Sequence, residues 1–299
     1  MSPRLGWGTY RVPHIATAVG AIIAAGCDWI DTAPNYANGT AQAQLAPMLA
    51  THPEVSVSTK VGFFTRAQAT EALAAGVIDA QAAAARHSIN PTYVRWQIER
   101  SRIELGRDRP DVVFMHNPER LSTDRGKLTQ ALTMAFEELE AAALDHRIES
   151  YGVATWSGFV EGAFTVPELV ALASLAAGSR AHHLTAIQLP ASLVNIDPIA
   201  DALNGRVPLV EATEAGLRTF VSSPLHGGEL LGLIDRELAS LISSTLSPTQ
   251  AALAVLSGTP GIDRVLISTG NTAHWEDAGH AISVRLARSV TRKVVDVLA

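Results

Sequence analysis

Two kinds of hydrophobic pattern alternate along the chain. Segments with a helical period set their apolar residues on one face. In Pro13–Gly26 these are Ile15, Val19, Ile22 and Ile23, and in Leu128–Leu144 they are Leu128, Leu132, Ala135, Phe136 and Leu139. Between such helices lie short runs that are apolar throughout: Leu5–Thr9, Asp28–Asp31, Val55–Ser58, Val112–Met115, Ser150–Val153, Thr185–Leu189, Thr219–Val221 and Val265–Ile267. A run without polar alternation suits a parallel strand covered on both faces. Their number and spacing predict an α/β fold, a (β/α)8 TIM barrel forming a single domain over residues 1–299. A doubly wound open sheet would carry a glycine-rich phosphate turn after its first strand. Here Gly6-Trp7-Gly8-Thr9-Tyr10 lacks the third glycine of that fingerprint.

No linker or composition shift divides the chain. Its longest departure from the β-α rhythm is the alanine-rich insertion Val61–Ser88, ahead of a helix predicted to start at Asn90-Pro91, a capping residue followed by a proline. The insertion leaves the C-terminal end of a strand, where barrel loops carry function, so it either covers part of a site or packs on the rim. The final stretch, Val284–Ala299, reads as a helix packed on the barrel.

Composition narrows the function. Of 299 residues, 47% are hydrophobic and 17% charged, ample for a large core. The formal net charge of −6 and the lack of any Lys/Arg cluster argue against a nucleic-acid partner. The single cysteine, Cys27, forbids an intrachain disulfide, fits a cytoplasmic setting, and sits in an apolar stretch as a buried small hydrophobe. Met1-Ser2-Pro3-Arg4-Leu5-Gly6 is no signal peptide, and no apolar run reaches the roughly 18 residues of a membrane span. No metal site is expected, and the oligomeric state is not legible.

Four polar residues fall at the ends of neighbouring predicted strands. Asp31 closes the second, Tyr36 follows it, Lys60 closes the third and His116 the fourth, so all four meet on one rim of a barrel. Reducing a carbonyl needs a hydride from a carrier and a proton delivered to the developing alkoxide. Tyr36 suits the proton donor; Lys60 would favour its phenolate and draw the phenol into a useful range. Asp31 would keep Lys60 charged, and a neutral His116 would polarise the carbonyl. Each also has an ordinary reading: Asp31 as a helix cap, Tyr36 as a packing residue, Lys60 as a strand-end charge, and His116 as part of a turn with Asn117-Pro118.

Three segments, Asp31-Thr32-Ala33-Pro34-Asn35-Tyr36, Ser58-Thr59-Lys60-Val61-Gly62 and Met115-His116-Asn117-Pro118-Glu119, resemble the signatures of the aldo-keto reductase superfamily in content and order. The resemblance runs from Leu5 to the C-terminal segment. It implies NADPH extended across the C-terminal rim, hydride transfer to an aldehyde or ketone as small-molecule substrate, and Asp31, Tyr36, Lys60 and His116 as catalytic residues. It also implies that the N-terminal hairpin of many relatives is lacking. For the cofactor it points to Gly8, Thr9, Thr155, Gln188, Ser223, Leu225 and Gly227, and to Ser268, Thr269, Gly270, Asn271 and His274 after the last strand. For the substrate it points to Tyr10, Asn35 and Trp156.

The chain departs from the family in three places. Ala154 stands where the family has a serine that grips the nicotinamide carboxamide, and Ser222 where many members stack an aromatic, a platform Trp156 would have to supply. Ser268–Asp277 has no Lys or Arg for a 2′-phosphate, which keeps NADH open beside NADPH. Two other readings compete: a Schiff-base aldolase or lyase barrel using Lys60, and a non-catalytic NADPH-binding regulatory protein.

Overall fold

Eight parallel strands covered on both faces can lie in an open sheet or close into a barrel, and here they close. The computed structural model describes residues 3–298. Its strands are β1 (Arg4–Gly8), β2 (Trp29–Asp31), β3 (Ser56–Val61), β4 (Val112–His116), β5 (Tyr151–Ala154), β6 (Leu184–Pro190), β7 (Arg218–Ser222) and β8 (Arg264–Ile267). They pair in parallel and in sequence order, with β8 returning to β1, as a closed (β/α)8 barrel.

Side-chain parity sorts the strand residues into two apolar layers. One parity faces the surrounding helices in a large continuous core that includes Val57, Val113, Met115, Val153, Ile187 and Val265. The other parity faces the axis, where Trp29, Val112, Phe114, Ala154, Ala186, Phe220 and Leu266 form a separate cluster. The barrel is thus a filled core and not a pore. At its N-terminal end Arg218 and Arg264 lie over the Trp29 ring at 5.1 Å each. Arg264 also donates to the carbonyl oxygen of Leu5 and to Asp28 Oδ1.

The predicted helices form with shifted ends. Pro13–Gly26 is helical over Ile15–Ala24 and buries Ile15, Ala18, Val19 and Ile22. The second runs Arg125–Leu144 and buries the whole predicted stripe; it starts earlier because Asp124 accepts from the backbone N–H of Lys127 and caps a polar first turn. Asn90 caps Pro91–Leu105 as expected. The C-terminal helix covers Arg288–Leu298, burying Thr291, Val294 and Val295; Ala299 and the first two residues of the N-terminal motif, Met1 and Ser2, lie outside the described residues. Cys27 is buried, and burial pushes its thiol up to about 11, so it is unreactive at neutral pH. No described helix is long and apolar enough to cross a membrane.

The insertion folds into two short helices, Arg66–Ala74 and Ala80–Ala85. Phe64, Ala69 and Ala72 pack on Tyr93 of the helix Pro91–Leu105, on the flank of the barrel. Its two ends meet in a bridge between Phe63 and His87 beside the C-terminal rim. Both expectations therefore hold in part: the helices pack on the side, and the junction residues reach the rim.

Candidate active site

The inward parity that fills the barrel axis continues one layer higher with polar residues. In β2, Trp29 is followed two positions on by Asp31; in β3, Ser58 by Lys60; in β4, Phe114 by His116; in β6, Ala186 by Gln188. The register pairs Asp31 with Ser58, Lys60 with Phe114 and His116 with Ala154, so the polar end of each of β3 and β4 lies two residues beyond the partner of the one before it.

Lys60 is 1% exposed and Asp31 4% exposed. The ammonium donates to Asp31 Oδ2 at 2.5 Å and to the carbonyl oxygen of Thr32 at 3.0 Å. Asp31 Oδ1 accepts from Ser58 Oγ at 2.8 Å and from Gln188 Nε2 at 3.1 Å. Ser58 is in turn held by Trp29 Nε1 at 3.0 Å, which ties the apolar plug to the polar layer above it. The carboxylate therefore has three donors, the condition under which a buried charge is tolerated. Tyr36, in a tight turn after β2, lays its ring 5.0 Å from Lys60 Nζ, with Tyr10 packed against it at 5.1 Å. The His116 ring stands edge-on to Tyr36 at 6.2 Å.

These contacts set the charge states. Burial pushes Lys60 down, but the charge of Asp31 and the bonds to Asp31 and Tyr36 outweigh it and hold the ammonium above its ordinary value. A nucleophilic lysine needs the reverse, so the Schiff-base reading is disfavoured. Burial is also the largest influence on Tyr36 and raises it; the Lys60 charge pulls it down by less. Lys60 thus acts on the phenol in the expected direction without overcoming burial, and in the free protein Tyr36 is protonated. Burial, then Lys60 and His87, push His116 well below the ordinary histidine value, so it is neutral. Its Nδ1 is buried without a partner. An unpaired acceptor is less costly there than an unpaired N–H, which places the proton on Nε2.

Above this cluster opens a cleft of about 880 Å³. Asp31, Tyr36 and His116 line it, and so do Gly8, Tyr10, Asn35, Thr155, Trp156, Gln188, Ser223, Leu225, Gly227, Ser268, Thr269 and His274. Lys60 lies beneath its floor. Three other expected residues do not line it either. Thr9 is buried and donates its hydroxyl to Thr32 Oγ1 at 2.8 Å. Asn271 accepts from the N–H of Ala273 at 2.9 Å as the cap of the helix Thr272–Ser283, and Gly270 faces Val12 and Pro13. Thr155 Oγ1 accepts from the N–H of Gly158 at 2.8 Å, which leaves its proton to donate. Trp156 is half exposed on the rim; its backbone N–H and that of Ser157 are held by Glu119 Oε1 at 3.0 and 3.2 Å.

Sequence reasoning passed over Arg11, Phe63 and Asn117, which also line the cleft. Arg11 follows β1 and is in no ion pair among the described residues; its guanidinium lies 3.4 Å from where a Cβ on Gly227 would stand. A basic residue directly after a barrel strand was the available signal. In the loop after β7, Ser223, His226, Gly227 and Gly228 all have positive φ, at 50°, 48°, 68° and 95°. Within it the N–H of His226 donates to the Ser223 carbonyl and that of Gly228 to the Leu225 carbonyl.

The aldo/keto reductase family model matches residues 1–240. Over 168 residues, half of this chain, the sequence is 29% identical to D-threo-aldose 1-dehydrogenase of a Pseudomonas species; the match covers about half of that relative's length (49%). The backbone is similar to an aldo-keto reductase from Klebsiella pneumoniae in complex with NADPH, at a TM-score of 0.70 and 17% identity, covering 99% of this chain and 91% of that one. A thermostable aldo-keto reductase in complex with the inhibitor epalrestat gives a TM-score of 0.69 at 17% identity, covering 99% and 95%. Likeness at this identity shows a common barrel.

Proposed function

The chain belongs to the aldo/keto reductase family, and from that premise we propose that it reduces an aldehyde or ketone to the alcohol, or runs the reverse reaction, with NADPH or NADH as hydride carrier. The observation that carries the reading is the buried Lys60–Asp31 pair beneath Tyr36, with neutral His116 beside it, on the floor of one cleft.

The cleft suits a dinucleotide in size and chemistry. Asn35 Oδ1 and His226 Nδ1, on residues that line it, are buried without partners. Gly8 keeps the groove open, since a Cβ there would meet Ser268 Oγ at 2.9 Å. Gln188 and Thr155 would hold the carboxamide; Ser223, Leu225 and Gly227 the pyrophosphate, with Arg11 as the counter-charge; and Ser268, Thr269 and His274 the adenosine end. Bound there, the dinucleotide supplies the hydride that no side chain can.

The chain's own groups do the rest. Tyr36, kept protonated by burial, delivers its hydroxyl proton to the carbonyl oxygen as negative charge develops there. Lys60 then faces the phenolate left behind, and Asp31 keeps the ammonium charged and in place. His116 donates from Nε2 to the same carbonyl oxygen and orients it. Tyr10, Phe63 and Trp156 make an aromatic rim, with Asn35 for a polar substituent, a lining that accepts sugar-like and simple carbonyl compounds.

The test is Tyr36→Phe, assayed with NADPH and NADH against a panel of aldehydes, ketones and aldoses. Reduction should fall by about 10²–10⁴-fold while fluorescence titration shows cofactor binding intact. Full activity in the variant would end the assignment of the proton donor. A wild type that binds NADPH and turns over no substrate would favour the regulatory reading.

A further inference from the structure

The insertion between β3 and β4 contributes Phe63, already part of the aromatic rim, and His87, which the proposed chemistry does not use, and both press on His116. His87 is buried at 5% exposure. Its Nε2 lies 2.8 Å from the main-chain carbonyl oxygen of His116. A carbonyl only accepts, so Nε2 carries the proton and His87 is the donor. The Phe63 ring stands edge-on to both imidazoles, 4.8 Å from His87 and 4.8 Å from His116. Arg120 covers the same ring at 5.3 Å. Gly62 closes over the bond: a Cβ there would meet the His116 carbonyl oxygen at 2.8 Å and His87 Nε2 at 3.1 Å.

The need for such a brace follows from His116 itself. Its Nδ1 has no partner, so no hydrogen bond from the ring fixes the side-chain torsion. Neutral histidines that act in catalysis are ordinarily oriented through the second nitrogen. Here the backbone and the ring edge are the remaining handles, and the insertion grips both.

We propose that His87 and Phe63 are positioning residues that hold the His116 ring with Nε2 toward the substrate, the insertion serving as a brace for the carbonyl-polarising group. The proposal rests on the function proposed above. His87 also suits the task because it stays uncharged: burial pushes it down, outweighing the bond to His116, with Arg120 lowering it further and Glu119 opposing. The charged and titratable groups around the pair are Arg120 and Glu119 of the loop after β4, and Lys60 on the far side of His116.

Two measurements test it. The first compares His87→Phe, which keeps a ring but no donor, with His87→Gln, whose amide N–H reaches a similar place. His87→Phe should lower kcat for carbonyl reduction by roughly tenfold to a hundredfold, the range a small misalignment produces, with NADPH affinity unchanged. His87→Gln should recover most of that loss. Equal losses in both variants, or kcat within about twofold of wild type in His87→Phe, would overturn the proposal. Tyr36→Phe distinguishes failure of the proton-donor reading, because it silences the reaction whatever His87 does. The second needs no variant and no turnover: nitrogen-15 correlation spectra of the wild type should show His87 and His116 both as neutral Nε2–H tautomers. A proton on Nδ1 of His87 in place of Nε2 would also overturn it.

Discussion

Asp31→Asn keeps the shape of the carboxylate and removes its charge, which isolates what the buried pair does. Ser58 and Gln188 both donate to Oδ1, so the asparagine oxygen is held there and its NH2 group turns to Lys60, donor against donor. The ammonium, 1% exposed, is left with two uncharged acceptors, the Thr32 carbonyl and the Tyr36 hydroxyl. Breaking a buried pair in this way costs about 3–5 kcal/mol. The pH dependence has a definite sign. In the wild type Lys60 is held above its ordinary 10.5, so its contribution is fully present below that value and is lost as pH rises through the folded value. Stability from this group is therefore flat from about pH 6 to 9. In the variant, burial acts on Lys60 with little opposition and drives it below 10.5; the folded state then holds fewer protons than the unfolded chain, and stability rises with pH. Urea unfolding across that range reads both quantities. A deficit under about 1 kcal/mol at pH 7, or one that does not shrink as pH rises, refutes the account of the pair.

Two further substitutions probe other parts of the argument. Gly152→Ala would set a Cβ 2.5 Å from the Ala186 carbonyl oxygen and 2.6 Å from the Phe114 ring, at the irregular start of the β5–β6 pairing. A strand carbonyl cannot move aside, so the urea midpoint should fall by the equivalent of about 1–3 kcal/mol with an unchanged slope; an unaltered midpoint would contradict the close packing of the barrel axis. Arg11→Gln removes the unpaired cation beside Gly227 and should weaken NADPH binding about tenfold by fluorescence titration, with the difference narrowing at high salt. Equal affinity at low salt would remove Arg11 from the cofactor site.

The barrel was legible because a parallel strand buried on both faces leaves an uninterrupted apolar run, and each of the eight runs overlaps an observed strand. The same property hides parity: when both faces are apolar, nothing in the run says which residues face the axis. The sequence places Lys60 at the close of the third strand, and β3 continues one residue further, to Val61. Lys60 therefore lies inside the strand, two positions beyond Ser58, and shares its inward face. The polar residues after the apolar runs marked the rim correctly, and their convergence in the structure depends on a parity that the sequence did not display.

Residues whose position depends on contacts between distant segments were not legible. Thr9 follows a strand as a ligand hydroxyl would, but its partner is Thr32, 23 residues on, and the bond closes the wall of the barrel instead of the cleft. Asn271 sits at a helix start and spends its side chain on that helix. Phe63 and His87 have no periodicity that connects them; the alanine-rich chain between them folds into two small helices before the bridge brings them together. A local pattern can mark a residue as polar and near a strand end, but whether its hydrogen bonds are already committed is decided by what arrives from elsewhere in the chain. His116 shows the same dependence: a histidine after β4 was readable, and its neutral state and the direction of its ring follow from Lys60 on one side and the insertion on the other.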